Sequence, residues 1–333
     1  MKKFINDPMK VVDEMLEGFL FVNARYVRRS TTHPHVLVRK DAPVKGKVAV
    51  VTGGGSGHKP SFTGFLGKGM LDAVCVGEIF TSPPVPSVLD AIKASHSDKG
   101  VLLLLGNYSG DVMNFDMAAE LAREEGIEVE QAIATDDVGA GFKDEPQKRR
   151  GVSGEFLIWK CCGAMAERGA SLAEVKRIAE KINANTRTMG VALTSCTVPA
   201  AGKPTFTLRE DEMEIGVGHH GEPGVARIPL QPVDEIVDML VEKIASDLPY
   251  ENKDEVLTLI NGLGATPQLE LYIAQRRLQQ NLAKRGIHIV RSLVGEFFTA
   301  LEMAGFSITL LKLDEEIKEL LAAPAETPYF VQV

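Results

Sequence analysis

"KVAVVTGGGSGHKPSF", residues Lys47–Phe62, decides how this chain is read. Its apolar part, Val48 to Thr52, is short and β-branched, as a strand buried on both faces requires, and it opens directly into the glycines before His58. The same pattern recurs in "AVCVGEIFTSPP" (Ala73–Pro84) and "GVLLLLGNYSGD" (Gly100–Asp111), where an apolar run ends in a polar, glycine-bearing loop. A helical pattern follows in "VMNFDMAAELAREEG" (Val112–Gly126), then a further strand, "IEVEQAIATDD" (Ile127–Asp137), that ends in two acids. Strands alternating with helices predict an α/β domain with a largely parallel sheet. Ligands of such sheets bind beyond the carboxyl ends of the strands. Gly53–His58, Asn107–Asp111 and Asp136–Asp137 should therefore converge.

Outward from this core, Asp7-Pro8 predicts the start of an amphipathic helix carrying Val11, Val12, Met15, Leu16, Phe19 and Leu20. Downstream, "SGEFLIWKCCGAMAERG" (Ser153–Gly169) and the stretch from Ser171 read as consecutive helices, the second with Ser171 and Glu174 spaced as a capping box. Beyond residue 186 the texture changes. Met189–Pro199, Met213–Gly224, Glu255–Pro267, Ile287–Phe297 and Phe306–Asp314 are strand candidates, interleaved with helices at Asp234–Ser246 and Pro267–Gly286. The expected organisation is two α/β domains, residues 1–186 and 187–333, with the tail from Glu315 free to pack back on the first.

The 333 residues, 44% hydrophobic, suffice for two cores. Lys and Arg total 37 against 45 Asp and Glu, a formal charge of −8, so nothing in the net charge draws the chain to nucleic acid or an anionic membrane. No apolar run approaches the ~18 residues of a membrane span. Cys75, Cys161, Cys162 and Cys196 match neither CxxC nor a zinc-finger spacing. A soluble, cytoplasmic protein is expected.

The glycine run is not a dinucleotide fingerprint, because no register of "GGGSGHKP" gives G-x-G-x-x-G, and "GFLGKG" lacks the hydroxyl that follows the lysine of a Walker loop. Two uses remain for the glycines: a tight strand-to-helix turn, or backbone that lets a small ligand approach its amides. His58 is either a solvated loop residue or a base, and Asp111 either a helix N-cap or a carboxylate that accepts a substrate proton. Their expected meeting at neighbouring strand ends favours the functional reading of both.

"GVGHHGEPG" (Gly216–Gly224) sets His219 beside His220, in a chain with seven histidines. If that segment is extended, the two rings point to opposite sides and at most one faces a given site. A zinc site would need a third ligand, for which His33 and His35 in "THPH" are the available donors, but no HExxH-like spacing exists. A neutral imidazole in such a loop is alternatively a nucleophile, and its softest target is a carbonyl carbon.

Eight collinear motifs, "GGGSGHKP", "GKGMLDA", "TSPP", "GNYSGDVMNFDMAAE", "RRGVSG", "GVGHHGEPG", "NGLGATPQLELYI" and "EMAGFSITLLKLD", resemble the dihydroxyacetone kinase family in its ketose-binding portion, over nearly the whole chain. The resemblance implies that His220, just before G-E-P-G, captures the ketone as a hemiaminal, that Gly55, Ser56, Gly57 and His58 form the substrate loop with His58 as a base, and that Asp111 takes the proton of the phosphorylated hydroxyl. It also implies a homodimer with no cofactor of its own. ADP or ATP with magnesium would sit on a nucleotide-binding partner subunit, recharged in one branch by a phosphotransfer protein of the phosphotransferase system. Three positions depart from the family pattern: Gly106 where a substrate-contacting lysine is usual, Lys59 for a glutamate, and His219 for an aliphatic residue. Gly106 is expected to open volume for a four-carbon keto-sugar such as erythrulose, with new cations at Lys59 and His219. Two other readings stay open: a silent ketose-binding coactivator or sensor of a transcription regulator, and a metal-dependent lyase or hydrolase.

Overall fold

The computed structural model describes residues 2–141, 143–222 and 224–333. The chain opens with α1 (Val11–Asn23), β1 (Val27–Arg29), β2 (Val36–Arg39), β3 (Ala49–Ser56), β4 (Ala73–Ile79), α2 (Val85–Ser95), β5 (Val101–Gly106), α3 (Ser109–Glu124) and β6 (Val129–Ala134). These strands form one sheet in the order β1-β2-β4-β3-β5-β6, in which β4, β3, β5 and β6 run parallel and β1 and β2 join antiparallel at one edge. Val50, Leu102 and Leu104 face one side and Val51, Leu103 and Leu105 the other, all buried, as strands covered on both faces require.

Two helices follow, α4 (Glu155–Glu167) and α5 (Leu172–Asn185). The capping box on α5 forms as its sequence predicts, Ser171 accepting from the Glu174 amide while the Glu174 carboxylate accepts from the Ser171 amide. α4 is buried on nearly every side, so its sequence lacks a polar face.

The rest of the chain adds β7 (Thr186–Ala192), β8 (Glu212–Ile215), β9 (Ala226–Pro229), α6 (Val233–Asp247), β10 (Glu255–Gly262), α7 (Gln268–Lys284), β11 (His288–Gly295), β12 (Gly305–Lys312), α8 (Glu315–Ala322), β13 (Ala325–Glu326) and β14 (Val331–Gln332). Its six-stranded sheet, β11-β10-β12-β7-β8-β9, is antiparallel except between β10 and β11. α6 and α7 cover one face. Leu257, Leu259 and Leu311 on the other face join Leu102, Leu104 and residues of α4 and α5 in one core shared by both sheets.

The tail lies against α4 and the segment after β3. Lys160 donates to the Leu320 carbonyl, and the Glu326 and Tyr329 amides donate to the carbonyls of Lys68 and Gly64. One expectation shifts at the opposite end: Asp7 caps a turn, accepting from Met9, and the helix itself begins only at Val11.

Candidate functional site

β3 and β5 pair only from Ala49↔Val101 to Thr52↔Leu104. Beyond that point β3 continues with β4 as far as Ser56, and β5 continues with β6 as far as Gly106. The sheet splits there, between strands whose connections leave in opposite directions, which is where an open parallel sheet offers a crevice.

The glycines of β3 are part of the ladder and not a turn. A Cβ on Gly53 would stand 2.2 Å from Cys75 Sγ, one on Gly54 2.6 Å from the Phe62 ring, and one on Gly55 2.6 Å from the Thr81 amide nitrogen. Close approach of neighbouring chain selects them, and the turn itself falls at Gly57, whose φ is +112°. Ser56 donates its hydroxyl to the Gly77 carbonyl.

His58 follows, 1% exposed, with Nδ1 donating to the Thr299 carbonyl at 2.7 Å and its ring stacked on Phe80 at 5.1 Å. Burial, and then the neighbouring rings of His220 and His219, push its imidazole well below the usual histidine range. His58 is therefore neutral, with its Nε2 lone pair placed to accept a proton.

His220 arrives from the other half of the chain. β8 stops at Ile215, so the alternation expected of an extended segment fails and both histidines come near His58, with ring centroids 4.8 Å (His220) and 6.1 Å (His219) from its own. His220 Nε2 lies 3.1 Å from His58 Nε2. Its Nδ1 lies 3.0 Å from Glu222 Oε1, and its amide donates to Glu222 Oε2 at 2.9 Å. With both Nδ1 atoms donating, to Thr299 and to Glu222, the Nε2 contact holds one proton that His220 donates and neutral His58 accepts, so His220 gains the lone pair a nucleophile needs once that proton passes to His58. Burial opposes the Glu222 charge, but the bond to His220, its ring charge and Arg150 hold the carboxyl at about 2. Phe80 and Tyr108 meet the His220 ring edge-on at 5.0 and 4.6 Å, an aromatic collar around it.

His219 turns toward Phe298, ring centroids 4.4 Å apart, and is 2% exposed with Nδ1 unpartnered among the described residues. Burial, then His220, push it down to about 3. It is a neutral ring, not the added cation expected.

Asp111 is the third residue of α3, past the N-cap position, and its side chain accepts from the Ser82 hydroxyl instead of a helix amide. Burial raises its pKa against the opposing effects of Ser82 and His220, which moves a carboxylate toward a useful base. Asp136 is spent structurally, accepting from the amides of Val152 and Gly154 at the start of α4.

Two further expectations fail. Lys59 points away from the histidines, donating to Thr63 Oγ1 at 2.7 Å beside the Phe19 ring, so it adds no cation to the pocket. Gly106 opens no free volume, because a Cβ there would meet Glu155 Oε1 at 2.6 Å and the Tyr108 ring at 3.1 Å. The zinc reading also loses its third ligand: His35 bonds Asp13 on α1, and no group of three His, Cys, Asp or Glu side chains has metal-holding geometry among the described residues.

Glu222, Tyr108, Phe80 and Glu155 were not singled out from the sequence. Glu222 carried a signal, a carboxylate two residues beyond a histidine in a glycine-rich turn. Glu155 carried none, since a glutamate opening a helix is ordinary.

A model of the Dak1 domain matches residues 17–329. The chain belongs to the Dak1 family. This Dak1 chain is 44% identical over 330 residues to the "PTS-dependent dihydroxyacetone kinase 2, dihydroxyacetone-binding subunit DhaK" of Listeria innocua, covering 99% of each chain. It is 45% identical over 330 residues to the "D-erythrulose kinase" of Mycolicibacterium smegmatis, covering 99% of this chain but 56% of that longer protein. Among solved structures, the "Dihydroxyacetone kinase operon co-activator Dha-DhaQ" superposes with a TM-score of 0.89 at 32% identity, covering 96% of this chain and 98% of that one. No helix among the described residues is long and apolar enough to cross a membrane.

Proposed function

We propose that this chain is the ketose-binding subunit of a kinase, which captures a short hydroxyketone on His220 and presents its terminal hydroxyl for phosphorylation. The observation that carries this reading is the line Glu222–His220–His58 at the mouth of the split sheet, with Asp111 nearby. His58 takes the proton shared between the two Nε2 atoms, His220 Nε2 adds the lone pair so released to the carbonyl carbon, the C=O π pair moves to oxygen, and His58 hands the proton to that oxygen. The cationic ring that results is balanced by the Glu222 carboxylate. Capture at an electrophilic carbon selects ketones over polyols such as glycerol, which have none. Asp111 then takes the terminal hydroxyl proton as that oxygen forms its bond to phosphorus and the bridging P–O bond of the nucleotide breaks.

The names of the relatives, two of them a dihydroxyacetone-binding subunit and an erythrulose kinase, support three- and four-carbon ketoses as the substrate class. The nucleotide, ADP or ATP with magnesium, belongs in this reading to a separate nucleotide-binding subunit, where a phosphotransfer protein recharges ADP if it stays bound, and the ketose subunit acts as a homodimer in the cytoplasm. The rival, a silent coactivator, has support in the likeness to such a protein. Retention of His58, Asp111 and Glu222 around His220 favours turnover, since a binder needs no base for phosphoryl transfer. The test supplies the chain with a nucleotide-binding subunit from a related kinase and with dihydroxyacetone or erythrulose, then follows the phosphorylated ketose. Turnover lost in Asp111→Asn supports the proposal; ketose binding without turnover under any donor overturns it in favour of the coactivator.

A further inference from the structure

Glu155 is the first residue of α4 and is 2% exposed. Its Oε2 has no hydrogen-bond partner among the described residues, and its Oε1 stands 2.6 Å from where a Cβ on residue 106 would begin. Because residue 106 is glycine, this carboxyl occupies the space at the end of β5 that a side chain there would enter. The Tyr108 ring reaches within 3.1 Å of the same point, and that ring meets His220 at 4.6 Å. Asp111 follows in the first turn of α3. Glu155 therefore stands beside Tyr108 at the end of β5, with that ring in contact with both the Gly106 position and His220.

Buried polar atoms nearly always have partners, so an orphaned carboxyl at the ligand end of a parallel sheet calls for one that is absent from the protein itself. Burial first, then the nearby carboxyls of Asp136 and Asp111, raise Glu155 well above the usual carboxylate range. A protonated carboxyl both donates and accepts, which matches a sugar hydroxyl and does not match a cation.

We propose that Glu155 is the specificity-determining residue of the pocket, and that its carboxyl hydrogen-bonds the hydroxyl on the added carbon of a four-carbon ketose. The inference rests on His220 being the covalent anchor. With the carbonyl carbon fixed on His220 and the reacting hydroxyl at Asp111, the substrate keeps one free end. The polar group waiting there is set back behind a glycine, beyond the reach of a three-carbon chain, and a site built to hydrogen-bond a hydroxyl rejects substrates that lack it.

The test measures adduct affinity on the full-length chain for erythrulose, dihydroxyacetone and 4-deoxyerythrulose, in wild type, Glu155→Gln and Glu155→Met. Both variants fill the space of the original side chain, and thermal melts check that they fold. Wild type should prefer erythrulose to 4-deoxyerythrulose at least tenfold. Glu155→Met should lose that preference while its affinity for dihydroxyacetone changes less than threefold, and Glu155→Gln should stay within threefold of wild type on all three. An unchanged preference in Glu155→Met, or an equal loss on every ketose, overturns the inference. Should Glu155→Met fail to fold, equal wild-type affinity for erythrulose and its 4-deoxy analogue overturns it without a variant. If wild type forms no adduct with any ketose, it is the underlying kinase-subunit reading that falls.

Discussion

Gly53 to Ser56 stay in the ladder of the first sheet up to the edge of the pocket, every residue buried, and a single left-handed glycine separates them from His58. In the second sheet, β8 ends at Ile215, well before His220, and the loop between is held by polar contacts: the Gly190 carbonyl accepts from Gly216, Arg150 donates to the Gly216 carbonyl, and Glu222 accepts from His220. One half of the molecule thus places its functional histidine by packing, the other by hydrogen bonds and charge. The packed side would be costly to disturb and hard to retune, whereas the loop side can adjust, as the proposed covalent capture requires, without disturbing a core.

Four substitutions break or sharpen this contrast. Asp111→Asn, on the packed side, should lower phosphoryl transfer by about 10²- to 10⁴-fold, the range expected for a lost general base, while leaving ketose capture intact. An equal loss of capture in a binding assay would show that the division of labour is wrong. Glu222→Gln, on the loop side, removes a charged hydrogen bond worth about 1.5–3 kcal/mol, so the ketose adduct should weaken by about 10- to 100-fold with little change in melting temperature. The glycines separate the two sides most cleanly. Gly53→Ala drives a Cβ into Cys75 and its carbonyl oxygen and should destabilise by about 1–3 kcal/mol, as overpacking does. Gly218→Ala meets the movable ends of Glu222 and Arg150 and should impair adduct formation more than thermal stability. Equal melting temperatures for the two variants would dissolve the comparison.

The last effect appears only on acidification. His219 is held at about 3 in the folded chain, against about 6.5 for a free histidine. As pH falls below 6.5 the unfolded chain takes up a proton that the buried ring refuses, so this residue withdraws stability until the pH nears 3. His219→Phe removes that linkage. Its stability relative to wild type should rise by about 1.4 kcal/mol per pH unit on acidification from 6 to 4. Urea unfolding of both proteins across that range measures the difference, and parallel pH profiles would mean that His219 is not the buried neutral ring described.

Much of the framework was legible because strand and helix periods are local. The apolar runs at Val48–Thr52, Val101–Leu105 and Glu255–Ile260 each became a strand, and the Ser171 capping box is in place. The glycine run was harder to read, since a glycine needed for a turn and one needed because Cys75 or Phe62 lies against it look alike in sequence, and the contact that decides between them comes from elsewhere in the chain. For the same reason Gly106 suggested empty space. Its vacancy is filled by Glu155, dozens of residues away, which nothing in the local pattern linked to the pocket. His58 and Asp111 could be proposed from sequence because loop ends of a parallel sheet are a small set of places, whereas the choice of His220 over His219 came from the family resemblance, as the histidine before G-E-P-G. The support for His220 lay two residues on, in Glu222, and needed only the fold of the turn to become visible.

Covalent capture at His220 is the claim on which the rest depends. Native mass spectrometry of the chain offered dihydroxyacetone, erythrulose and glycerol together, repeated on His220→Ala, tests it directly. The account predicts a wild-type species carrying the full mass of a ketose with no water lost, no glycerol species, and neither in the variant. A ketose adduct that persists in His220→Ala, or glycerol retained as well as the ketones, would contradict it.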